Sequence, residues 1–273
     1  MNGRVLSVIA VLAALEARAD VTPPEEATPA AEGVFELPPL PYEQVSSRTW
    51  LFNDDVALPA PGRGVAVSTL TYSGGDSPTR PFAANLASPG AMLELGAELG
   101  VARGISVQLI GVRGESYTSR DGATGAQLGV RWAPLATRST RLVVGAGYLR
   151  ELSGGDGAWG RVSLEHELGR ARLALSVHGE HVFTPGRDGF DLMVTAGADL
   201  RVAGPLRAGI EYVGQDLEGL AEDDAEGGAR HIVGGVLSVR LLSERLSLVG
   251  GPALGLGGPS PRAIGRAAIA YAF

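Results

Sequence analysis

The chain has 273 residues, a formal net charge of −7 and no cysteine. The missing cysteines exclude a disulfide framework and a thiolate metal site. The acidic balance argues against a nucleic-acid partner, because the phosphate backbone requires a basic protein face. Beyond the first twenty residues, no apolar run reaches the roughly 18 residues of a membrane helix, so a membrane-spanning mature chain would cross as strands.

The first predicted element is an export signal at residues 1–19. Arg4 precedes an apolar run from Val5 to Leu15, and Ala17-Arg18-Ala19 has the small-x-small pattern of a cleavage site. An N-terminal anchor helix is the alternative, but the run is about half as long as a spanning helix. We expect cleavage after Ala19 and export from the cytoplasm.

Residues 20–61 are predicted to form a periplasmic tail and linker. The segment is rich in Pro, Glu and Ala, as in Pro38-Pro39-Leu40-Pro41, and such a composition favours extended, unpacked chain. Trp50, Leu51 and Phe52 interrupt this pattern just before the first predicted strand. They could enter the barrel mouth as a plug or dock a partner, but ordinary packing at a strand entrance is the interpretation we favour.

From residue 62 onward, apolar side chains alternate with small or polar ones in segments separated by Gly, Pro, Asp and Ser. This period of two predicts strands with two different faces. The predicted strands are residues 62–72, 90–100, 103–113, 123–133, 140–150, 157–168, 170–182, 189–202, 204–216, 228–241, 244–256 and 262–273. Short connections, such as Gly169-Arg170, alternate with longer polar ones, such as Gly74–Pro89 and Leu217–Gly227. Membrane barrels show this asymmetry between short periplasmic turns and longer outer loops.

The last predicted strand places Ile269, Tyr271 and Phe273 on one face, with the aromatic residue at the end of the chain. A soluble β-sandwich would also alternate, but it needs no terminal signature of this kind. The pattern resembles the assembly signal of Gram-negative outer-membrane β-barrel proteins, the porin-like class. The resemblance implies an all-β fold, a closed antiparallel up-and-down transmembrane barrel of about twelve strands at residues 62–273, located in the outer membrane. It also implies contact with outer-membrane lipid, with lipopolysaccharide and with the β-barrel assembly machinery.

If the apolar faces contact lipid, the opposite faces give the lumen a mixed, slightly basic lining. The candidate pore-lining residues are Arg131, Arg161, Glu165, Arg172, Asp199, Arg201, Arg207, Glu211 and Arg240. The same alternation places Arg141, Arg230, Arg262 and Arg266 inside. One interpretation is a network of interior ion pairs that makes a narrow barrel rigid. The other is a polar pore whose arginines favour anions or sugars.

The sequence offers little support for a metal site, a cofactor or an enzyme. The acidic segment Glu218–Glu226 could hold a divalent cation, but it lacks an ordered ligand pattern and is interpreted as a solvated loop. Barrel lipases resemble one another in placing His and Ser close together at the rim, often two residues apart. None of His166, His178, His181 and His231 has a serine two residues away. We therefore expect no cofactor, no metal and no enzymatic activity.

Two functions remain. The first is a passive diffusion channel, a small porin for small polar or anionic solutes, which the two-faced strands and polar lumen favour. The second is a non-conducting barrel that anchors an envelope-spanning complex, such as secretion, surface or motility machinery, through partners of the N-terminal tail.

Overall fold

The computed structural model describes residues 49–53, 55–74, 90–117, 122–152, 155–184, 190–215, 217, 229–257, 260 and 262–273. The predicted export signal, most of the predicted tail and the acidic segment Glu218–Glu226 lie outside these residues. No helix among the described residues has the length and apolar character needed to cross a membrane.

The described chain forms twelve β-strands. They are β1 (Gly64–Ser73), β2 (Gly90–Ala102), β3 (Ile105–Ser116), β4 (Gly122–Ala136), β5 (Thr140–Glu151), β6 (Gly155–Leu168), β7 (Ala171–Val182), β8 (Asp191–Ala203), β9 (Leu206–Gln215), β10 (Arg230–Leu241), β11 (Leu246–Gly255) and β12 (Ile264–Ala272). Each corresponds to one predicted strand, and no end differs from its predicted position by more than three residues. The strand prediction is confirmed because a period of two is visible without knowledge of the partners.

Every strand pairs antiparallel with its neighbours in sequence, and β1 pairs with β12, so the sheet closes on itself. The seam continues past the strands: the Phe273 amide donates to the Gly64 carbonyl at 2.9 Å, and the Gly64 amide donates to the Phe273 carbonyl at 3.0 Å. Closure gives every strand two partners and leaves no exposed sheet edge. The predicted closed up-and-down barrel is confirmed.

The two faces of the sheet have opposite characters. Along β12, buried residues alternate strictly with exposed ones, and Ile269 and Tyr271 are among the exposed. In β7, Leu175 is 44% exposed, whereas Arg172 is 2% exposed. Apolar side chains therefore point outward and charged ones inward, which is the arrangement of a barrel surrounded by lipid.

One end of the barrel, called the short-turn end below, carries compact connections. Gly104, Gly169 and Gly204 have φ angles of 69°, 63° and 48°, a left-handed conformation that glycine adopts without a steric penalty. Chain segment 242–244 takes the same conformation with non-glycine residues. The segments before β1 and after β12 lie at this end, because Pro61 forms a bridge with Gly100 near the end of β2 and Phe273 is hydrogen-bonded to Gly64 at the start of β1.

Candidate functional site

Most of the predicted pore-lining residues lie inside the barrel. Arg131, Glu165, Arg172, Asp199, Arg207 and Glu211 are all at most 7% exposed. Arg161 and Arg240 are partly buried on inward faces. Arg201 is exposed, because it lies near the end of β8, where the strand pairing shifts and the turn begins. Arg262, predicted to face the lumen, instead precedes β12 and is exposed.

The buried arginines are held by carboxylates from neighbouring strands. Arg172 contacts both Asp199 and Glu165, the latter at 3.4 Å. Asp199 is also held by Arg207 at 2.6 Å, and Glu165 by Arg141 at 3.2 Å. A buried charge is tolerated only when it is paired and hydrogen-bonded. These contacts link β5, β6, β7, β8 and β9 on one side of the lumen.

A segment of the chain itself occupies the lumen. Residues 49–53 and 55–60, which together we call the plug, precede β1 and lie against the inward face of the sheet. Trp50 and Leu51 are 0% and 1% exposed. The Asp55 carboxylate accepts hydrogen bonds from the Thr49 amide at 3.2 Å and its hydroxyl at 3.1 Å, so the segment folds back on itself. The sequence interpretation favoured here, ordinary packing at a strand entrance, is therefore wrong for Trp50, Leu51 and Phe52.

The carboxylate of Glu211, on β9, anchors the plug through four hydrogen bonds. Its Oε2 atom accepts a hydrogen bond from the Leu51 amide at 2.8 Å. Its Oε1 atom accepts from the Phe52 amide at 3.1 Å, the Asn53 amide at 2.9 Å and the Asn53 side chain at 3.1 Å. Three consecutive backbone amides thus surround one buried negative charge. Bonds of this kind to a charged acceptor are roughly twice as strong as neutral ones.

A second group of contacts holds Trp50 against the charged side of the lumen. The indole Nε1 atom donates to Glu165 Oε2 at 3.1 Å, and the guanidinium carbon of Arg172 lies 4.3 Å from the ring centroid. Arg172 also donates to the Thr49 hydroxyl at 2.8 Å. A Cβ atom at Gly197, on β8, would lie 2.7 Å from the Trp50 ring. Glycine therefore makes room for the plug in the wall.

The opposite side of the plug is less tightly packed. A cavity of about 50 Å³ lies between the plug and strands β1–β4. Its polar lining comprises Asn53, Asp55, Glu94, Glu98, Gln108 and Arg131. Arg131 pairs with Glu98 at 2.8 Å and also bonds to the Asp55 carbonyl. Polar residues on both surfaces make this space suitable for water.

The four histidines contact side chains of the barrel wall. His166 Nδ1 lies 2.8 Å from the Thr140 hydroxyl, His178 stacks on Trp159, His181 meets Phe183 edge-on, and His231 Nδ1 lies 2.7 Å from the Tyr212 hydroxyl. Within the described ranges, no group of three or more His, Asp and Glu side chains is arranged to hold a metal ion. The candidate functional site is therefore the lumen rather than a histidine cluster.

The predicted assembly residues lie at the barrel seam. Ile269, Tyr271 and Phe273 are 46%, 44% and 56% exposed on the outward face. The Phe273 ring also covers Gly64, where an added Cβ would lie 2.6 Å from a ring carbon. Their position is compatible with recognition from outside the barrel, and their role in assembly stays a prediction.

No protein-family model and no curated protein sequence matches the chain. Solved structures match it in fold. A KdgM porin in complex with disordered oligogalacturonate has a TM-score of 0.55 at 8% identity, over 77% of this chain and 99% of that one. An outer-membrane channel from Pseudomonas putida F1 has a TM-score of 0.54 at 8% identity, over 81% of this chain and 98% of that one. This likeness, with the closed barrel and its apolar outer face, shows that the chain has the fold of the outer-membrane β-barrel porins.

Proposed function

We propose that the chain is an outer-membrane channel for small polar solutes and that the plug is its internal gate. The observation that carries the proposal is that the lumen is occupied by a segment preceding β1, rather than by side chains of the wall alone. Barrels of eight strands are filled by their own side chains, whereas those of sixteen or more enclose open channels. Twelve strands lie between these cases.

The plug indicates the width of the passage that it fills. A folded-back polypeptide needs about 5 Å between its two passes and about 10 Å through its side chains. Withdrawal of residues 49–60 would thus leave an opening on the order of 10 Å, which is wide enough for a monosaccharide or a small organic ion. Hydrogen bonds, a cation–π contact and apolar packing hold the plug against the wall, and contacts of these kinds can open reversibly.

The solute preference follows from the lining. Among the described residues, each of the five buried arginines has a carboxylate partner; they are Arg131, Arg141, Arg172, Arg207 and Arg266. Paired charges leave a weak net field, so we expect polar solutes of either sign to pass with modest preference. The oligogalacturonate in the KdgM complex is a chain of sugar acids, and its presence with a barrel of comparable fold supports a polar solute.

A reversible lock tests the proposal. The Thr195 hydroxyl donates to the Asn53 side chain at 2.8 Å, and the chain has no cysteine, so Asn53→Cys with Thr195→Cys introduces one unambiguous pair. In planar bilayers, we expect the oxidised double variant to stay closed and to recover channel openings when a reductant is added. Each single-cysteine variant is the matched control and should not respond to the reductant.

A deletion of residues 20–60 provides the complementary measurement, because it removes the gate and leaves all twelve strands. We expect a continuously conducting barrel. A folded, heat-modifiable deletion variant without conductance would refute the channel. That result would favour the second function, a non-conducting barrel that anchors an envelope complex, for which the many anchors of the plug also provide support.

A further inference from the structure

The short-turn end of the barrel carries an exposed arginine in, or within three residues of, each of its turns. These residues are Arg103, Arg138, Arg170, Arg201 and Arg245, and Arg63 stands beside the seam between β1 and β12. We call these six residues the arginine collar. They belong to five different hairpins and the seam, so they encircle the barrel mouth rather than forming one patch.

The collar is far more basic than the chain as a whole. The full sequence has a net charge of −7. In the five short turns, residues 103–104, 137–139, 169–170, 204–205 and 242–245, Glu244 is the one acidic side chain. Glu244 pairs with Arg240 at 3.4 Å rather than with a collar residue. Within the described part of the chain, Arg138, Arg170 and Arg245 form no ion pair. Their charge is available to an external partner.

An exposed apolar side chain accompanies each collar arginine within three residues, except at the seam, where the partner is adjacent in space. These side chains are 42–61% exposed, and they are Val101, Leu135, Leu168, Val202, Leu242 and Phe273. The Phe273 backbone is hydrogen-bonded to Gly64, next to Arg63. An apolar side chain beside a guanidinium suits the boundary between acyl chains and headgroups better than a soluble partner.

We propose that the arginine collar binds the phosphate groups of the phospholipid leaflet at the short-turn end. The apolar outward face of the strands ends at these turns, so the headgroups of the surrounding bilayer lie at the same level. A guanidinium presents several N–H donors in a planar fork that matches two phosphate oxygens, which makes arginine better suited than lysine to this contact. The chain has 23 arginines and no lysine. The collar would fix the depth of the barrel in the membrane, whatever passes through its lumen.

Lipid selectivity in a reconstituted bilayer tests the proposal. The refolded mature protein is placed in mixed phosphatidylcholine and phosphatidylglycerol bilayers, and electron spin resonance of each spin-labelled lipid reports the fraction immobilised at the protein surface. We expect the anionic lipid to be preferred about five-fold at low salt, since an arginine near an anionic surface contributes at this level. The preference should decrease as salt is added, because exposed charges are screened.

Two triple variants separate the collar from the general effect of charge. The first variant replaces three collar residues with glutamine: Arg138, Arg170 and Arg245. The second replaces three exposed arginines at the opposite end with glutamine: Arg113, Arg150 and Arg262. Each variant removes three positive charges. A loss of preference in the first variant alone supports the collar. Equal losses in both, or no preference in the unmodified protein, would overturn the proposal and leave a soluble acidic partner as the reason for the basic rim.

Discussion

Replacement of Glu211 by glutamine is expected to loosen the plug without disturbing the barrel. The carboxylate is 2% exposed and accepts four hydrogen bonds from Leu51, Phe52 and Asn53. Glutamine has nearly the same shape but carries no charge, and its amide nitrogen would face an N–H group as donor against donor. One bond is therefore lost, and the remaining ones lose the charge of their acceptor.

The expected magnitude follows from this geometry. Hydrogen bonds to charged groups contribute about 1.5–3 kcal/mol and neutral ones about 0.5–1.5 kcal/mol, so each retained bond loses about 1 kcal/mol. Since the four bonds share one acceptor and are not independent, we take about 3 kcal/mol for the whole change. This corresponds to an increase of about two orders of magnitude in the population with a released plug.

Hydrogen exchange measures this population directly, because the amides of Leu51, Phe52 and Asn53 exchange only when they leave the carboxylate. We expect their exchange in Glu211→Gln to accelerate about 100-fold, while amides of the barrel strands keep their protection. Glu115→Gln is the matched control, since Glu115 is an exposed carboxylate paired with Arg113 at the surface. Unchanged exchange at the three amides in a folded Glu211→Gln barrel would refute the anchoring role of Glu211, whether or not the protein conducts.

Three further predictions concern the wall, the lipid face and the seam. Gly197→Ala should expel the plug, because the new Cβ would lie 2.7 Å from a carbon of the Trp50 ring. Gly235→Ala is the control, because a Cβ there would have no atom within 4 Å. A protease should cleave the plug in the first variant and not in the second. Leu175→Arg, within β7, should lower the free energy of unfolding by about 2–4 kcal/mol in refolding titrations. Leu168→Arg, at the end of β6, should lower it by about 1 kcal/mol or less. Equal losses would show that the depth of the residue in the bilayer does not matter. Deletion of Phe273 removes both seam hydrogen bonds to Gly64 and should reduce the folded, heat-modifiable fraction in outer membranes; wild-type levels would contradict an assembly role.

The strands could be predicted from the sequence because alternation is a local property. In β7, Leu173, Leu175 and Val177 point outward, while Arg172 and Ser176 point inward, as the period of two requires. The same reasoning failed for Arg201 and Arg262. Alternation gives the face of a strand, but it does not say where the strand reaches the mouth of the barrel.

The plug could not be predicted because its contacts are specific and distant in sequence. Trp50 and Leu51 show no periodicity, and Glu211 resembles any other inward carboxylate. Gly197 and Gly251 are consistent with a close approach, since a Cβ at either would lie within about 3 Å of a plug side chain, but a glycine-rich chain offers many such positions. Only the folded arrangement connects these residues.

The contacts of the plug span very long intervals of the chain, and this has a consequence for folding. Leu51 and Glu211 are 160 residues apart, Asn53 and Thr195 142, and Trp50 and Glu165 115. Contacts between such distant residues carry a large loop-closure entropy and are typical of slow folding. Hairpins between neighbouring strands close much shorter loops at a lower entropy cost, so we expect them to form first. We therefore expect the plug to reach its position late. The time at which its amides become protected from hydrogen exchange would then report when the barrel is complete.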